Sequence, residues 1–588
     1  MKNMLMILAV AGILFVAGCV SQTQQGTSTR SADIDGLTYK QLCAKNGDMW
    51  MEMPPIRDGK VVSSQKCEGC MIDASHFCSV EEYTNYIKQM TSMEQLETQQ
   101  NTIDRSTAGL EAAVQSRIVE LSSGETFNLE ARPVANTING NTIRMYGYNG
   151  QIPGPLIKVR QGSSVYVNFT NNIDSDTTVH WHGIRLKNEF DGVPNVTQKP
   201  VIPGESFLYK LDFPDDGIYW YHPHIREDLQ QELGLYGNIL VEPLAGYNPV
   251  DKELALFLDD IRMADGDVDV FSKDYARMAL MGRFGNVILV NGETNYNVNL
   301  GKNEIVRFYV TNSANTRTFN FSIEGHRMKL VGGDSGKYEK ETFVDSIIIA
   351  PAERYILEVY FDKSGSYRIL HNTPEKTYVL GTISVSESQT AEKAVQFSSL
   401  KENSDVKAEL EQLKKYASSQ PDYEIDLDIE MPGMSGTMPS MEGAEHSMMG
   451  MTMTSGSIEW EDDMTAMNNM MTSENTKWIM RDKSTGKENM DLNYNVRVGD
   501  RKKIRIFNDP NSMHPMQHPI HLHGQRFVVL SQDGKPNDNM VWKDTVLVPS
   551  GSTVDILVDF TNPGEWMIHC HIAEHLEAGM MASFTVSN

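Results

Sequence analysis

The chain is predicted to be all-β, with three Greek-key β-sandwich domains preceded by a small cysteine-containing N-terminal region. Three observations carry this. From about residue 116, short runs of Val, Ile, Tyr and Phe are broken by Gly, Pro, Asn and Asp, the pattern of strands closed by turns. A threefold internal repeat runs through the same part. Finally, a length of 588 residues with 40% hydrophobic and 22% charged residues allows several domains, each with its own core. The net charge of -26 argues against nucleic acid, which requires a basic footprint, and concentrates cations instead.

In chain order, Lys2 and an apolar run from Met4 to Val16 precede Val16-Ala17-Gly18-Cys19. The run is too short for a bilayer span and ends in small residues, so residues 1–18 read as an export signal. The ending resembles a lipobox, which implies Cys19 as a lipidated, membrane-anchoring N-terminus. Residues 19–115 hold a Ser/Thr/Gln-rich tether, a module with Cys43, Cys67, Cys70 and Cys78, and a polar, partly helical linker. The four cysteines form disulfides or, with His76, a metal site.

The repeat defines three domains, 116–247, 248–390 and 391–588. Val159-Arg160-Gln161-Gly162, Gly301-Lys302-Asn303-Glu304 and Val498-Gly499-Asp500 each lead into a strand. Each copy closes on an aromatic strand: Tyr219-Trp220-Tyr221-His222-Pro223-His224, Tyr367-Arg368-Ile369-Leu370-His371-Asn372 and Trp566-Met567-Ile568-His569-Cys570-His571. Leu370 and Asn372 fall where the outer copies carry histidines, so the middle copy has lost its ligands, and His371 and His326 read as ordinary histidines. The third copy is longer by an insertion, 431–471, containing twelve methionines among Gly, Ser, Thr and Asp. These neighbours are too small and polar to build a core, and thioethers are soft ligands suited to Cu(I), so the insertion reads as copper-recruiting, the alternative being a merely disordered low-complexity loop.

The chemistry concentrates in the third copy. Side chains alternate along a strand, so Cys570 points opposite to His569 and His571, and His518 opposite to His521 and His523. Cys570, His518 and His575 make a trigonal His2Cys set with Met580 as weak axial ligand, the donor set of blue copper. His180-Trp181-His182-Gly183 and His222-Pro223-His224 supply two more His-x-His pairs, partners for the remaining four histidines.

Four such pairs, one enclosing a cysteine, resemble the multicopper oxidase family over residues 116–588. The resemblance implies cupredoxin-like domains and four copper ions. The type 1 ion would be held by His518, Cys570, His575 and Met580, and the type 2 ion by His180 and His521. A type 3 pair would be held by His182, His222, His224, His523, His569 and His571. It also implies oxidation of a one-electron donor with reduction of O2 to water, Asp191 and Glu574 matching proton-donating acids of related cuprous oxidases. Met516 stands where copper-oxidising members place a donor-binding methionine. His514 stands where an acid is expected, a departure for which the nearby Met513 could compensate. The expected donor is Cu(I), in an outward-facing lipoprotein of copper detoxification. The alternatives are a laccase-like oxidase of phenols or aromatic amines and a copper-sequestering resistance protein.

Overall fold

The structure is a computed structural model that describes residues 49–53, 56–57, 60–61, 67–72, 75–79, 103–431 and 457–588. The expected signal, the tether and Cys19 lie outside the described residues, as do Cys43 and residues 432–456 of the insertion. The chain divides into two compact units, 1–102 and 103–588.

The first unit contains a five-stranded sheet with strand order Met49–Met53, Cys67–Ile72, Ser75–Phe77, Ile56–Arg57, Lys60–Val61. Cys78 follows its third strand and is disulfide-bonded, which decides the disulfide-or-metal alternative for that residue.

The second unit is three sandwiches built on one plan. Strand Ser164–Asn171 shows why they form: its residues alternate between half-buried and buried, the signature of a sheet with one face on a core. In the first sandwich a four-stranded sheet faces a five-stranded one of order His180–His182, Gly217–His222, Gly237–Glu242, Leu156–Arg160, Ile118–Glu120. The middle sandwich has six and five strands, and so does the third. The third sandwich's five run Asn493–Arg497, Met581–Ser587, Gly564–Cys570, His518–Leu522, Thr545–Val548. Each sandwich encloses its own apolar core, around Val165 and Trp181, around Phe308 and Phe321, and around Ile504 and Trp566. Every Val, Leu, Ile or Phe buried there contributes about 1.5–3 kcal/mol.

Two expectations need correction. Residues 103–115, read as the end of a partly helical linker, are irregular and join the first sandwich. Ala112 and Val114 bridge to Ala135 and Gln151, because Ile103 and Ala113 have apolar surface to bury against that core. The described methionines of the insertion are not all in polar surroundings either. Met431 and Met471 are buried in the third core, with Met464 and Met467 packed against it, because residues 279–284 of the middle sandwich supply apolar cover. The short helix Thr465–Asn468 is held there by Asn468, which accepts from the Met281 amide at 3.0 Å and donates to the Gly282 carbonyl at 2.9 Å.

Candidate metal centres

The aromatic closing strand of each outer sandwich pairs with its His-x-His strand, setting His180 opposite His222 and His521 opposite His569. Alternation then turns Cys570 into the third core. The helix Ala573–Glu577 follows at once and carries His575 back toward it. The Cys570 Sγ lies 3.5 Å from His518 Nδ1 and 3.8 Å from His575 Nδ1, and the two nitrogens are 3.3 Å apart. Donors at ordinary metal–imidazole and metal–thiolate lengths in a trigonal plane stand about 3.5 Å (N to N) and about 3.8 Å (N to S) apart, so the three atoms are spaced for one ion. Met580, fully buried, is adjacent: its carbonyl accepts from the Cys570 amide at 3.1 Å. Trp478 stacks on His575 with ring centroids 4.1 Å apart.

On the opposite face, eight histidines from the first and third sandwiches converge. Ring centroids are 4.0 Å apart for His180 and His523 and 3.6 Å for His182 and His521. Donor atoms gather within 4.8 Å in the sets His180/His182/His222, His180/His521/His523 and His224/His523/His569. His571 stacks no closer than 5.0 Å, on His182, yet faces the same space.

The ring nitrogens carry the test of fit. Nε2 of His180, His222, His224 and His521, Nδ1 of His182 and both nitrogens of His571 are buried without a hydrogen-bond partner. Buried polar atoms are nearly always paired, so this convergence of orphans is a site for cations. Burial, aided by neighbouring imidazoles, holds His182, His222, His523, His569, His571 and His575 well below the ordinary histidine range. They are therefore neutral, as a metal ligand must be. Burial also pushes the Cys570 thiol up, a preference that a bound cation reverses.

Asp191 sits inside this array. Its Oδ2 accepts from His523 Nδ1 at 2.8 Å and its carbonyl from His180 Nδ1 at 2.8 Å, while Oδ1 is unpartnered. The adjoining Gly192, at φ +86°, permits this approach, since a Cβ there would lie 2.0 Å from the Val179 carbonyl oxygen. Glu574 is fully buried but bonds to Asn315 (3.1 Å) and Thr316 (3.2 Å) of the middle sandwich rather than to a cluster histidine. Burial pushes its carboxyl up to about 7.

Sequence reasoning missed three residues. Glu227, in the helix Glu227–Gln230 just after His224, is fully buried 3.5 Å from His224 Nε2, and neither of its oxygens has a hydrogen-bond partner. Asp544 accepts from His182 Nε2 through Oδ1 at 3.0 Å and from His521 Nδ1 through its carbonyl at 2.9 Å, and Thr545 lies 3.0 Å from the same His182 nitrogen. Burial would raise the Asp544 carboxyl, but Arg354 and His182 overcome it and hold the group well below the usual range. An acid three residues after a His-x-His pair was a visible signal for Glu227; Asp544 and Thr545 had none.

The three donor-site candidates separate by exposure. Met513 is 59% exposed and His514 8%, whereas Met516 is enclosed in the third core. Burial brings His514 down to about 4.

Residues 131–246, 267–391 and 460–588 match three family profiles, each described as multicopper oxidase. The chain is 28% identical over 516 residues to the multicopper oxidase MmcO of Mycobacterium tuberculosis, covering 80% of this chain and 90% of that protein. It is 27% identical over 476 residues to Laccase-1 of Botryotinia fuckeliana (75% and 78%). Among solved structures, a multicopper oxidase from Pseudomonas thermotolerans superposes with a TM-score of 0.59 at 26% identity, covering 79% of this chain and all of that one.

Proposed function

The chain belongs to the multicopper oxidase family, and from that premise we propose that it couples one-electron oxidation of a donor, foremost Cu(I), to four-electron reduction of O2 to two waters. It is an oxidoreductase with copper as cofactor. The observation that carries the reading is the tripeptide His569-Cys570-His571, whose middle residue faces a His2Cys donor set while its flanks face eight convergent imidazoles. In this reading His518, Cys570, His575 and Met580 hold a type 1 ion and His180 and His521 a type 2 ion. His182, His222 and His571, with His224, His523 and His569, hold a type 3 pair. Bound copper supplies the electron-accepting and O2-reducing chemistry at these positions.

The protein's own residues do the rest. Cys570 would hold the ion that accepts the electron on the donor side, and its covalent connection through the backbone to His569 and His571 would be the path toward the cluster. Asp191 orients His180 and His523, and its free Oδ1 is placed to hold a proton for the water that forms. Glu574, with its carboxyl near neutrality, is the second proton-holding group. Residues 116–247, 248–390 and 391–588 are three cupredoxin domains, and residues 1–18 export a chain anchored by Cys19. Among the described residues no helix is long and apolar enough to cross a membrane.

Cu(I) is favoured as donor by the methionine insertion and by the net charge of -26, which attracts cations. Met513 is the exposed thioether five residues before His518, next in sequence to the buried His514, whereas Met516 is enclosed in the third core. A laccase-like activity on phenols is the second reading, prompted by the relative named Laccase-1. The test is O2 consumption with chelated Cu(I), Fe(II), Mn(II) and a phenol. Highest kcat/KM on Cu(I), reduced by deleting residues 432–456, supports the first reading. Faster turnover of the phenol, raised by that deletion, replaces it with the second.

A further inference from the structure

We propose that Arg354, in the middle sandwich, is a positioning residue for the histidine cluster: it clamps Asp544 so that His182 presents Nδ1, not Nε2, to the metal. The inference rests on the reading of the eight histidines as a copper cluster.

A neutral imidazole has one N–H, and the partner of that N–H decides which nitrogen is left for a metal. His180, His222, His521, His523 and His569 all bond outward through Nδ1, to the acceptors Asp191 O, Pro223 O, Asp544 O, Asp191 Oδ2 and Cys570 O. Four of these acceptors are backbone carbonyls, which only accept. His182 is reversed. Its Nε2 is taken by Asp544 Oδ1 and Thr545 Oγ1, both at 3.0 Å, and its Nδ1 is the unpartnered nitrogen. A hydroxyl donates or accepts, so Thr545 alone does not set the tautomer; Asp544 Oδ1 already accepts from Arg354 Nη1 and Thr545 Oγ1 and offers His182 an acceptor, so Asp544 does.

Arg354 fixes where that carboxylate sits. Its Nη1 donates to Oδ1 at 2.6 Å and its Nη2 to Oδ2 at 2.5 Å, a two-pronged pairing that sets both distance and plane. The guanidinium is itself fully buried and anchored, Nε donating to Ile218 O at 2.9 Å and Nη1 to Ala352 O at 3.0 Å. The sequence leaves room for the pair: Gly183, next to His182 and at φ +84°, would carry a Cβ only 2.3 Å from Asp544 Oδ2 and 2.9 Å from Arg354 Nη2. All three sandwiches therefore meet at one ion pair, and the copy without ligands supplies its cation.

The full-length protein carrying Arg354→Lys keeps the buried charge and loses the fork; Arg354→Met loses both. Wild type and variants are loaded with copper and dialysed against a chelator at several strengths. The readouts are copper per chain, the visible absorption of the Cys570–copper bond and the thermal midpoint of the metal-free chain. Arg354→Lys is expected to lose cluster copper at about 10–100-fold lower chelator strength while the visible absorption stays at the wild-type level. Cluster copper held as tightly as in wild type overturns the inference, as does loss of the visible absorption in parallel, which marks general destabilisation. Should Arg354→Met fail to fold, the lysine variant decides alone. Wild type retaining only the copper of the Cys570 site sinks the cluster reading itself, an outcome separate from either.

Discussion

Where the first sandwich pairs His180 with His222 and the third pairs His521 with His569, the middle one pairs Ser322 with Leu370. Two residues on, where the outer copies hold His224 and His571, stands Asn372, and its Nδ2 donates to Ser322 Oγ at 2.9 Å. The same backbone register thus yields unpartnered imidazoles in two copies and a closed hydrogen bond in the other. A ligand position needs more than the right strand: its donors must be left unsatisfied by their own sandwich and matched by donors from another. His371 sits beside that position and is fully buried, yet it accepts from the Asn320 amide at 3.0 Å and lies against Phe319 and Tyr378.

The comparison breaks most severely at Cys570. Cys570→Ser removes the thiolate and the covalent route at once, and O2 consumption is expected to fall by more than the roughly 10–100-fold that loss of an outer partner costs. The visible absorption should vanish with cluster copper retained; loss of both together counts against two separable sites. Asp191→Asn comes next. Turnover or cluster copper affinity should drop about 10–100-fold with the Cys570 absorption intact, and equal losses at both sites would deny Asp191 its specific role.

Acid sensitivity of the metal-free chain should sharpen the contrast further. Burial brings His518 and His224 to about 3 in the folded state, against an ordinary value of 6.5. Between those values the unfolded chain binds the extra protons, so the stabilisation is present above 6.5 and lost as pH falls toward 3. Glu574, raised to about 7 from 4.5, acts in the opposite sense, its contribution present below 4.5 and lost as pH rises through 7. Depressed histidines such as His518 and His224 thus oppose raised carboxyls such as Glu574, Glu227 and Glu232, so the histidine share is the fall in urea midpoint on acidification from pH 6.5 that disappears when His518 and His224 are both replaced by Gln. An equal fall in wild type and in that variant would show that these two histidines are not buried neutral without metal. The smallest effect is expected from rebuilding the lost ligands: the middle copy with Ser322→His, Leu370→His and Asn372→His should gain no copper and lose about 1–3 kcal/mol through overpacking. A fifth bound copper in that variant would mean that strand register alone makes a site.

The grouping of the eight histidines on one face and of His518, Cys570 and His575 on the other was legible in the sequence because strand parity is local: two residues of offset fix the face, and His-x-His needs no knowledge of distant chain. The threefold repeat made the sandwiches legible for the same reason. What escaped crosses long sequence distances. Asp544 meets His182 across 362 residues and Arg354 meets Asp544 across 190, and no periodicity encodes such encounters. The enclosure of Met516 escaped too, because cover for that core comes partly from Ala279–Phe284 of another sandwich. Glu574 was singled out through the resemblance, from its place in the HCH motif, but its partners Asn315 and Thr316 were not legible, since they come from a loop no nearby residue announces.

The strands Tyr423–Glu430 and Lys477–Asp482 that flank the methionine segment are antiparallel neighbours, Glu430 opposite Lys477. The two strands therefore pair at the rim of the sheet, and the chain between them is inserted where no other strand pairing depends on it. Lengthening such a loop twofold costs about 0.6 kcal/mol in closure entropy and leaves the ladder register untouched. The number of thioethers between those two strands can therefore change by insertion or deletion without moving the strands that carry the histidines and Cys570.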